Sequence, residues 1–537
     1  MNRQIRQLAA GLIACYVVLF VALNYWQVGR KQELDAQFDN TRQVLREFNK
    51  PRGPIVSADG VVAAVSFPTD DAVVKYRREY PTGDLLSEVT GYFTYAFGAT
   101  KVERFYGDVL TGSTAEQQVR GLGDLLEGNI DNAGTVQLAL RADAQQVAKF
   151  LLGGRTGSIV VMEPATGAVR VMYSNPSYDP NTFVNAEFEA AQQAITDLQN
   201  APGNPLLSNA YQDRFMPGST FKVITTGIGL ENGALTLESQ FPDESEWVPP
   251  QTNDPIQNYN RSTCGGDLAE VFARSCNIPF AKTAIAMGPD AFLAGASAWG
   301  IGEEIPLDIG GAAASSLGDT GNLAHELPLL GIRGFGQSET QMVPLHMAMV
   351  ASTVANGGQM MAPYVVETTY DRSGRVLEQR QPSVWKTPIS AATAAIETQL
   401  MIGVAERGTA SCCIALEGGI PVAAKTGTAQ LGIESQPGLS HAWIIAFAPA
   451  DAPQYAIAVT LTNVEETADA AVTGGRYAGP IAKAMLDYLL TGDGSTVPLG
   501  AGTLPATPAA GTADPGVTPS TAPPATGVAP DTTAVGG

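Results

Sequence analysis

The hydrophobic and polar positions divide the chain into segments of different character. The first is an uncharged, mostly apolar stretch over residues 8–28, with basic residues on both sides of it. A helix needs about 20 apolar residues to cross the hydrocarbon core of a bilayer. Tyr25 and Trp26 stand at the far end of the stretch, where aromatic rings favour the membrane interface. The stretch therefore predicts a transmembrane anchor.

Two other interpretations of this stretch stay open. A cleaved signal peptide usually has an apolar region of about 7 to 15 residues, and this one is longer. The segment Leu12-Ile13-Ala14-Cys15 is similar to the lipobox that precedes a lipidated cysteine, but residues 16–23 stay strongly apolar after it. We therefore expect an uncleaved anchor that carries no lipid.

Residues 29–155 form the next segment. Apolar positions over residues 31–49 recur at roughly helical spacing, which predicts a short stalk helix. From residue 56 to about 155, short apolar runs alternate with Gly and Pro. That alternation is typical of a small module that contains β-strands. We expect a stalk followed by a small pedestal that contains β-strands.

The pattern changes again at Gly157. Residues 158–173 predict a strand, a tight turn and a second strand. Residues 443–448 and 456–462 predict two more strands, and helical patterns fill the long region between the pairs. The pattern therefore predicts one sheet, built from distant segments, within a domain over residues 156–490.

Residues 491–537 consist mainly of Pro, Thr, Ala and Gly. A segment with so few large apolar side chains cannot bury a core. We expect this tail to be disordered.

Composition and charge narrow the possible functions. The chain has 537 residues, of which 45% are hydrophobic and 16% are charged, which suits several globular domains. Its net charge is -21, and no block of Lys and Arg stands against it. Phosphate groups would be repelled by the field of the whole protein, so we expect no nucleic-acid partner.

The cysteines do not indicate a metal site. Four of the five lie outside the apolar stretch, and their spacing matches no zinc motif. Free thiols are the default expectation for Cys264, Cys276, Cys412 and Cys413. A bridge from Cys264 to Cys276 stays possible outside the cell, where disulfides persist.

The three histidines do not indicate a catalytic centre. His325-Glu326 lacks the second histidine of a zinc protease motif, and His346 stands among apolar residues of a predicted helix. We expect these two and His441 to be structural, and we expect neither a metal nor a cofactor.

Three short motifs carry the candidate chemistry. In chain order they are Ser219-Thr220-Phe221-Lys222, Ser275-Cys276-Asn277 and Lys425-Thr426-Gly427. The second and third patterns, SxN and KTG, each occur once in the chain, and both follow Ser219. A second SxxK occurs at Ser383, but Pro388 after it argues against an extended helix. The ordered set is therefore much more specific than any one motif.

Elementary chemistry assigns roles to the first motif. Serine is a weak nucleophile and needs a base that takes its proton. Residues three apart on a helix share a face, so Lys222 is expected to reach the Ser219 hydroxyl. Lysine acts as a base only when neutral, and burial beside another cation lowers its pKa. Lys425 is the expected neighbouring cation.

The other two motifs complete the predicted site. Ser275 and Asn277 are expected to point into one cleft, offering a proton relay and an amide for the substrate. Gly427, which has no side chain, is expected to let a substrate backbone lie against the strand that contains Lys425.

The three motifs resemble those of the penicillin-binding proteins and β-lactamases. Other segments resemble class B penicillin-binding proteins. They are residues 51–55 with 59–60, 78–81, 91–92, 98–103, 336–337 followed by 344, 348 and 356–358, and 441–443 with 447–449. Within that class, the sequence most resembles the actinobacterial penicillin-binding protein A type. The family's Arg-Asn-Gly pattern is replaced here by Ser57-Ala58-Asp59-Gly60, a departure that concerns the subfamily.

The resemblance implies a fold and a site. The fold would be of the mixed α+β class, with a central antiparallel sheet flanked by helices and an all-helical lobe forming the cleft. A transmembrane helix and a small β-containing pedestal that resembles a dimerisation module would precede it. The catalytic residues would be Ser219, Lys222, Ser275, Asn277 and Lys425. Thr426, Gly427 and Thr428 would bind substrate, and the backbone N–H groups of Ser219 and Thr428 would hold the oxyanion.

The resemblance also implies an activity and partners. A peptidoglycan stem ending in D-Ala-D-Ala would acylate Ser219, and an amine of a neighbouring stem would resolve the ester. β-Lactams would stall as acyl-enzymes. Residues 1–7 would be cytoplasmic and the catalytic domain extracytoplasmic. A glycosyltransferase using lipid-linked precursors, and division or elongation proteins that set cell shape, would be partners. A D,D-carboxypeptidase and a non-catalytic scaffold remain the alternative functions.

Overall fold

The computed structural model describes residues 2–25, 49–70, 74–94, 97–120, 132–323, 325–431, 438–466 and 471–492. Of the predicted stalk helix, residues 31–49, only residue 49 belongs to the described part of the chain. Of the predicted disordered tail, residues 491–537, only residues 491 and 492 are described.

Short connections join many strands and helices along the described chain. The strands are β1 (Ile55–Val56), β2 (Val62–Pro68), β3 (Tyr76–Glu79), β4 (Phe93–Thr94), β5 (Gly98–Ala99), β6 (Thr135–Leu138), β7 (Gly157–Met162), β8 (Val169–Asn175), β9 (Gln240–Glu244), β10 (Glu246–Trp247), β11 (Ile256–Gln257), β12 (Cys264–Asp267), β13 (Met360–Met361), β14 (Val366–Tyr370), β15 (Val376–Gln379), β16 (Val384–Lys386), β17 (Ala423–Gln430), β18 (Leu439–Ala448) and β19 (Tyr455–Glu465). The α-helices are α1 (Asn2–Asn24), α2 (Ser87–Thr90), α3 (Lys101–Phe105), α4 (Gly107–Leu110), α5 (Ala115–Arg120), α6 (Ala142–Leu152), α7 (Phe188–Asn200), α8 (Lys222–Glu231), α9 (Leu268–Ala273), α10 (Ile278–Ala298), α11 (Leu327–Arg333), α12 (Pro344–Ala355), α13 (Ala391–Glu406), α14 (Gly474–Tyr477) and α15 (Gly479–Thr491).

A five-stranded antiparallel sheet forms the centre of the larger part. Its strand order is β17-β18-β19-β7-β8, so the ends of the domain meet in the middle of the sheet. All four strands predicted from the sequence for this sheet are present in it. Every residue of β7 is buried, and β18 is buried from Ser440 to its end. Continuous burial of this kind requires packing on both faces of the sheet.

Helices supply that packing. Helix α12 contacts β7, β18 and β19, and α13 contacts both α12 and the edge strand β17. Helix α6 lies on β7 and β8 and contacts α15, which packs on β18 and β19. The predicted central antiparallel sheet flanked by helices is confirmed.

A second sheet has six strands in the order β15-β14-β6-β1-β2-β3. Four of these strands come from the predicted pedestal, residues 29–155. The other two, β14 and β15, come from within residues 156–490, and β14 pairs directly with β6. The sequence pattern did not predict this pairing, which joins the two parts of the chain through backbone hydrogen bonds.

A buried charge cluster holds the pedestal together. Arg52 Nε donates to Glu103 Oε2 at 2.9 Å, and Arg78 Nε donates to Glu103 Oε1 at 2.7 Å. Tyr80 adds a hydroxyl donor to the same carboxylate at 3.2 Å. Burial opposes ionisation of Glu103, but the charges of Arg78 and Arg52 outweigh it and hold its pKa below the usual value. Three segments that resemble class B penicillin-binding proteins therefore meet at one carboxylate.

The predicted anchor over residues 8–28 falls partly on α1. Among the described residues, no helix is both long and apolar enough to cross a membrane.

The lobe beside the sheet is not all-helical as predicted. Helices α8, α10 and α11 pack on one another there. Two small antiparallel ribbons, β9 with β12 and β10 with β11, lie in the same lobe. Their strands are too short and too rich in Gly and acidic residues to give an alternating hydrophobic pattern.

The expectation of free thiols is wrong. Cys264 and Cys276 form one disulfide, and the adjacent Cys412 and Cys413 form another. The first was the open alternative in the sequence. The second was not predicted, because adjacent cysteines have no characteristic spacing that separates a bridge from two thiols.

Glu397 is a buried carboxyl group in α13. Its side chain is 0% exposed, and burial, reinforced by the negative charge of Glu231, raises its pKa well above the usual value. The folded protein therefore binds a proton at Glu397 over a pH range in which the unfolded chain has lost it.

We expect this group to make stability fall as pH rises. Since the folded pKa is raised, its contribution is complete below the unfolded pKa, and it decreases by about 1.4 kcal/mol per pH unit until the folded pKa is reached. Denaturant unfolding of Glu397→Gln should lack that slope, so the variant gains stability relative to the parent at pH 8. Glu406→Gln, at an exposed position of the same helix, is the control. Parallel pH profiles for Glu397→Gln and the parent would contradict this assignment.

Candidate active site

Ser219 lies on a tight turn at the start of a buried helix. Residues Gly218–Phe221 form a 3-10 turn that continues directly into α8. Gly218 N–H donates to Gly336 O at 3.0 Å. The indole of Trp443 donates to Met216 O at 2.9 Å. The turn is therefore tied to the central sheet and to the loop before α12.

Gly427 has a packing role that the sequence analysis did not predict. A Cβ atom on it would lie 2.5 Å from Pro217 O and 3.0 Å from Thr220 N. Both atoms belong to the turn around Ser219. The lack of a side chain therefore lets β17 pack against that turn, in addition to the predicted role beside a substrate backbone.

Lys222 is 0% exposed beneath the cleft. Its Nζ donates to Ser275 O at 2.7 Å, to Ser275 Oγ at 3.3 Å and to Asn277 Oδ1 at 2.9 Å. The predicted direct hydrogen bond to Ser219 is not among the bonds of the described residues. Lys222 instead connects the first motif to the second.

Lys425 reaches the same serine from the opposite wall. Its Nζ donates to Ser275 Oγ at 2.8 Å and to Thr426 O at 3.0 Å. One hydroxyl therefore lies between two lysine nitrogens, and the three motifs meet around it.

Both lysines are perturbed in the direction that base chemistry needs. Burial, followed by the charge of Lys425, lowers the pKa of Lys222 well below its usual value. Burial alone lowers the pKa of Lys425 to about 7. The arrangement can therefore hold one lysine neutral at neutral pH and pass a proton through Ser275.

The remaining predicted residues line one cleft of about 1060 Å³. Its lining includes Ser219, Ser275, Asn277, Thr426, Gly427 and Thr428. Strand β17 stands at the edge of the five-stranded sheet and pairs there with β18. An edge strand beside a nucleophile offers unpaired backbone groups to an extended peptide.

Two polar residues that the sequence analysis missed support the KTG strand. Thr409 Oγ1 lies 2.5 Å from Thr426 Oγ1, and Gln337 Nε2 donates to Thr428 O at 3.2 Å. Both also line the cleft. Gln337 stood in a segment noted only for its resemblance to the family, and Thr409 had no sequence signal.

The second SxxK does not contribute to the site. Its residues Val384–Lys386 form β16, and Lys386 Nζ bonds Glu303 Oε1 at 2.7 Å. This agrees with the argument from Pro388.

The histidines lie outside the cleft lining. His346 is fully buried, bonded to Ser315 Oγ and Trp299 O at 2.8 Å each, and burial lowers its pKa to about 4. Burial also lowers the pKa of His441 to about 4. His325 is exposed. Across the described residues, no group of His, Cys, Asp and Glu side chains is arranged to hold a metal ion.

Two family models match the chain. The model of the penicillin-binding protein transpeptidase domain matches residues 157–487. The model of the penicillin-binding protein A dimerisation domain matches residues 52–136. Together they cover the central sheet, the lobe and most of the pedestal.

Curated relatives are similar over nearly the whole chain. The peptidoglycan D,D-transpeptidase PbpA of Mycolicibacterium smegmatis is 33% identical over 498 residues, covering 90% of this chain and 98% of that protein. PbpA of Mycobacterium tuberculosis is 32% identical over 505 residues, covering 92% and 100%. The peptidoglycan D,D-transpeptidase MrdA of Escherichia coli is 26% identical over 490 residues, covering 80% and 74%.

Solved structures of one of these relatives are also similar to this chain. The ceftriaxone acyl-enzyme complex of penicillin-binding protein A from M. tuberculosis matches with a TM-score of 0.76 and 31% identity, covering 83% of this chain and 100% of that one. Its penicillin G acyl-enzyme complex matches with a TM-score of 0.74 and 31% identity, covering 82% and 100%. The chain therefore belongs to the penicillin-binding transpeptidase family, as a class B member of the penicillin-binding protein A type.

Proposed function

We propose that this protein is a peptidoglycan D,D-transpeptidase that cross-links stem peptides through an acyl-enzyme on Ser219. The observation that carries the proposal is the Ser275 hydroxyl bonded by two buried lysines at the floor of the cleft that Ser219 lines. The relatives named as peptidoglycan D,D-transpeptidases, and the β-lactam acyl-enzymes of M. tuberculosis penicillin-binding protein A, support the same reaction.

Acylation begins with neutral Lys222. It takes the proton of Ser219 as Oγ attacks the carbonyl carbon of the penultimate D-Ala. The new ester bond replaces the amide bond to the terminal D-Ala. The proton passes through the Ser275 hydroxyl to the leaving amine, for which Lys425 and Ser275 are already hydrogen-bonded. Terminal D-Ala then departs as a free amino acid.

The negative charge of the tetrahedral intermediate needs donors in the cleft. The backbone N–H groups of Ser219 and Thr428 are the proposed pair. Ser219 lies in the first turn before α8, where backbone N–H groups are free of helical partners. Losing one such donor costs about two to three orders of magnitude in rate. Asn277 and Thr426 would hold the substrate peptide along β17.

Deacylation requires an amine from a neighbouring stem. The amine nitrogen attacks the ester carbonyl, the new amide forms, and the proton released returns to Ser219 through the same lysines. The reaction exchanges one amide for another, so it needs neither water nor a cofactor. A β-lactam ring opened on Ser219 keeps its leaving group attached, which blocks the acceptor and explains a stalled adduct.

The cellular setting is also proposed. Residues 8–28 would anchor the chain in the cytoplasmic membrane as a single pass, with residues 1–7 inside and the catalytic domain outside. The two disulfides support an oxidising compartment. The stalk and pedestal would span residues 29–155, the catalytic domain 156–490 and the tail 491–537, with β14 and β15 of the catalytic domain completing the pedestal sheet. A glycosyltransferase that polymerises lipid-linked precursors would supply the strands, with division or elongation proteins as partners.

The role of Lys222 is tested by Lys222→Arg. A guanidinium stays protonated at every accessible pH, so it cannot take the proton of Ser219. We expect acylation by benzylpenicillin to slow by at least about 10³-fold, with no recovery at high pH, in stopped-flow or mass measurements. In the parent the rate should fall as pH is lowered and Lys222 gains its proton. Lys386→Arg, in the second SxxK, is the control. A Lys222→Arg rate that recovers with pH would exclude Lys222 as the base.

The nucleophile is tested by intact mass after exposure to benzylpenicillin. The parent and Ser383→Ala should gain the mass of one intact penicillin, because ring opening releases no group. Ser219→Ala should gain none. An adduct on folded Ser219→Ala would contradict the assignment, and no adduct on the folded parent would favour the scaffold. Release of the acyl group to water rather than to an amine acceptor would favour the D,D-carboxypeptidase.

A further inference from the structure

The turn that carries Ser275 and Asn277 is held in an unusual conformation. Ser275 has a φ of 60°, in the left-handed region that a serine rarely adopts. Such a conformation persists only where the surroundings over-determine it. Lys222 Nζ donates to Ser275 Oγ and to Asn277 Oδ1 of this turn, so whatever fixes the turn also fixes the position of the proposed base.

Asn258, in the loop after β11, supplies that support. Its side chain is buried, and its residue is 3% exposed. Oδ1 accepts from the backbone N–H of Asn277 at 2.8 Å and of Ile278 at 3.2 Å. An amide from a distant loop therefore caps the start of α10, where helix N–H groups have no partner of their own.

The other end of the same amide is anchored as well. Asn258 Nδ2 donates to Glu244 O at 2.8 Å and to Ser262 O at 3.2 Å. An asparagine amide offers two donor hydrogens and two acceptor lone pairs, and all four are used. No residue of similar size other than asparagine presents both halves of this pattern.

These bonds close a ring around the catalytic turn. Glu244 is the ladder partner of Cys264 in the ribbon of β9 and β12. Cys264 is joined by its disulfide to Cys276, which stands directly before Asn277. The turn is thus fixed to one ribbon twice, once through Asn258 and once through the disulfide. Lys282 of α10 also pairs with Glu244, at 2.5 Å.

We propose that Asn258 is a positioning residue of the acylation reaction, which sets the Asn277 amide and the Ser275 hydroxyl around Lys222. It does not touch the reacting atoms in this role. It acts through Asn277, whose Oδ1 accepts the hydrogen bond from Lys222 and whose Nδ2 donates to Gln257 O at 3.0 Å. The proposal rests on the proposed function, because it concerns the same acyl transfer.

Two variants test this role through the pH dependence of benzylpenicillin acylation. Asn258→Ala removes all four bonds, and we expect the second-order rate constant to fall roughly 10- to 100-fold, as for a small misplacement of catalytic groups. Water that enters beside Lys222 lessens its desolvation and raises its pKa, so the acidic limb of the rate profile should move to higher pH. Asn258→Asp keeps the shape of the side chain but turns a carboxylate oxygen toward the two carbonyls that Nδ2 bonds. Its negative charge should raise the pKa of Lys222 and move the acidic limb further toward high pH.

A matched control separates positioning from stability. Asn209 is also buried, at 5% exposed, and its Nδ2 donates to Asn175 O at 3.2 Å outside the cleft lining. Asn209→Ala should lower the melting temperature without moving the acidic limb.

Three results would overturn either the positioning role of Asn258 or the proposed function. If the parent is acylated and both folded Asn258 variants keep its rate and its limb, Asn258 does not position the site. Failure of both variants to fold would also overturn the proposal, because it would make Asn258 a residue of the fold. If the parent itself is not acylated, the proposed function fails instead.

Discussion

Two buried lysines, Lys222 and Lys425, direct their side-chain nitrogens at a single hydroxyl, that of Ser275, and the chemistry of the site depends on that crowding. Two unit charges about 4 Å apart repel by about 4 kcal/mol at an effective dielectric constant of 20. Within the described part of the chain, neither lysine forms an ion pair with a carboxylate that would relieve this. Loss of one proton is then the least costly adjustment, and Lys222, the more strongly perturbed of the two, is where we expect it. Packing that excludes water is therefore part of the chemistry.

Close backbone contacts provide that packing. A Cβ atom on Gly218 would lie 2.3 Å from Thr428 O, and one on Gly336 would lie 2.2 Å from Gly218 O. Both glycines also have positive φ angles, of 52° and 77°. The nucleophile's turn, the loop before α12 and the KTG strand thus touch backbone to backbone. No side chain of any size fits at these contacts, so the spacing between Ser219 and β17 is fixed by the peptide groups themselves.

Much of this arrangement could be predicted from the sequence, because it depends on the order of the three motifs and on the spacing of apolar positions. The apolar runs predicted β7, β8, β18 and β19, and the second motif predicted that Ser275 and Asn277 line one cleft. What escaped prediction depends on single contacts across long separations. Asn258 bonds a turn 19 residues away, and β14 pairs with β6, which lies far earlier in the chain. Such contacts leave no periodic pattern, since an amide that caps a distant helix looks in sequence like any loop asparagine.

The two walls of the cleft must keep their separation for the relay to work. Lys425 crosses from β17 to Ser275 over 2.8 Å, and a shift of either wall by an ångström would break that bond. Thr409 spans the same gap in a second way. Its N–H donates to Ala273 O at 3.1 Å, at the end of α9, while its hydroxyl lies against Thr426. The wall that bears Ser275 and the wall that bears Lys425 are therefore coupled outside the proton path. The Lys425–Ser275 bond can then exchange protons during turnover without having to hold the cleft together.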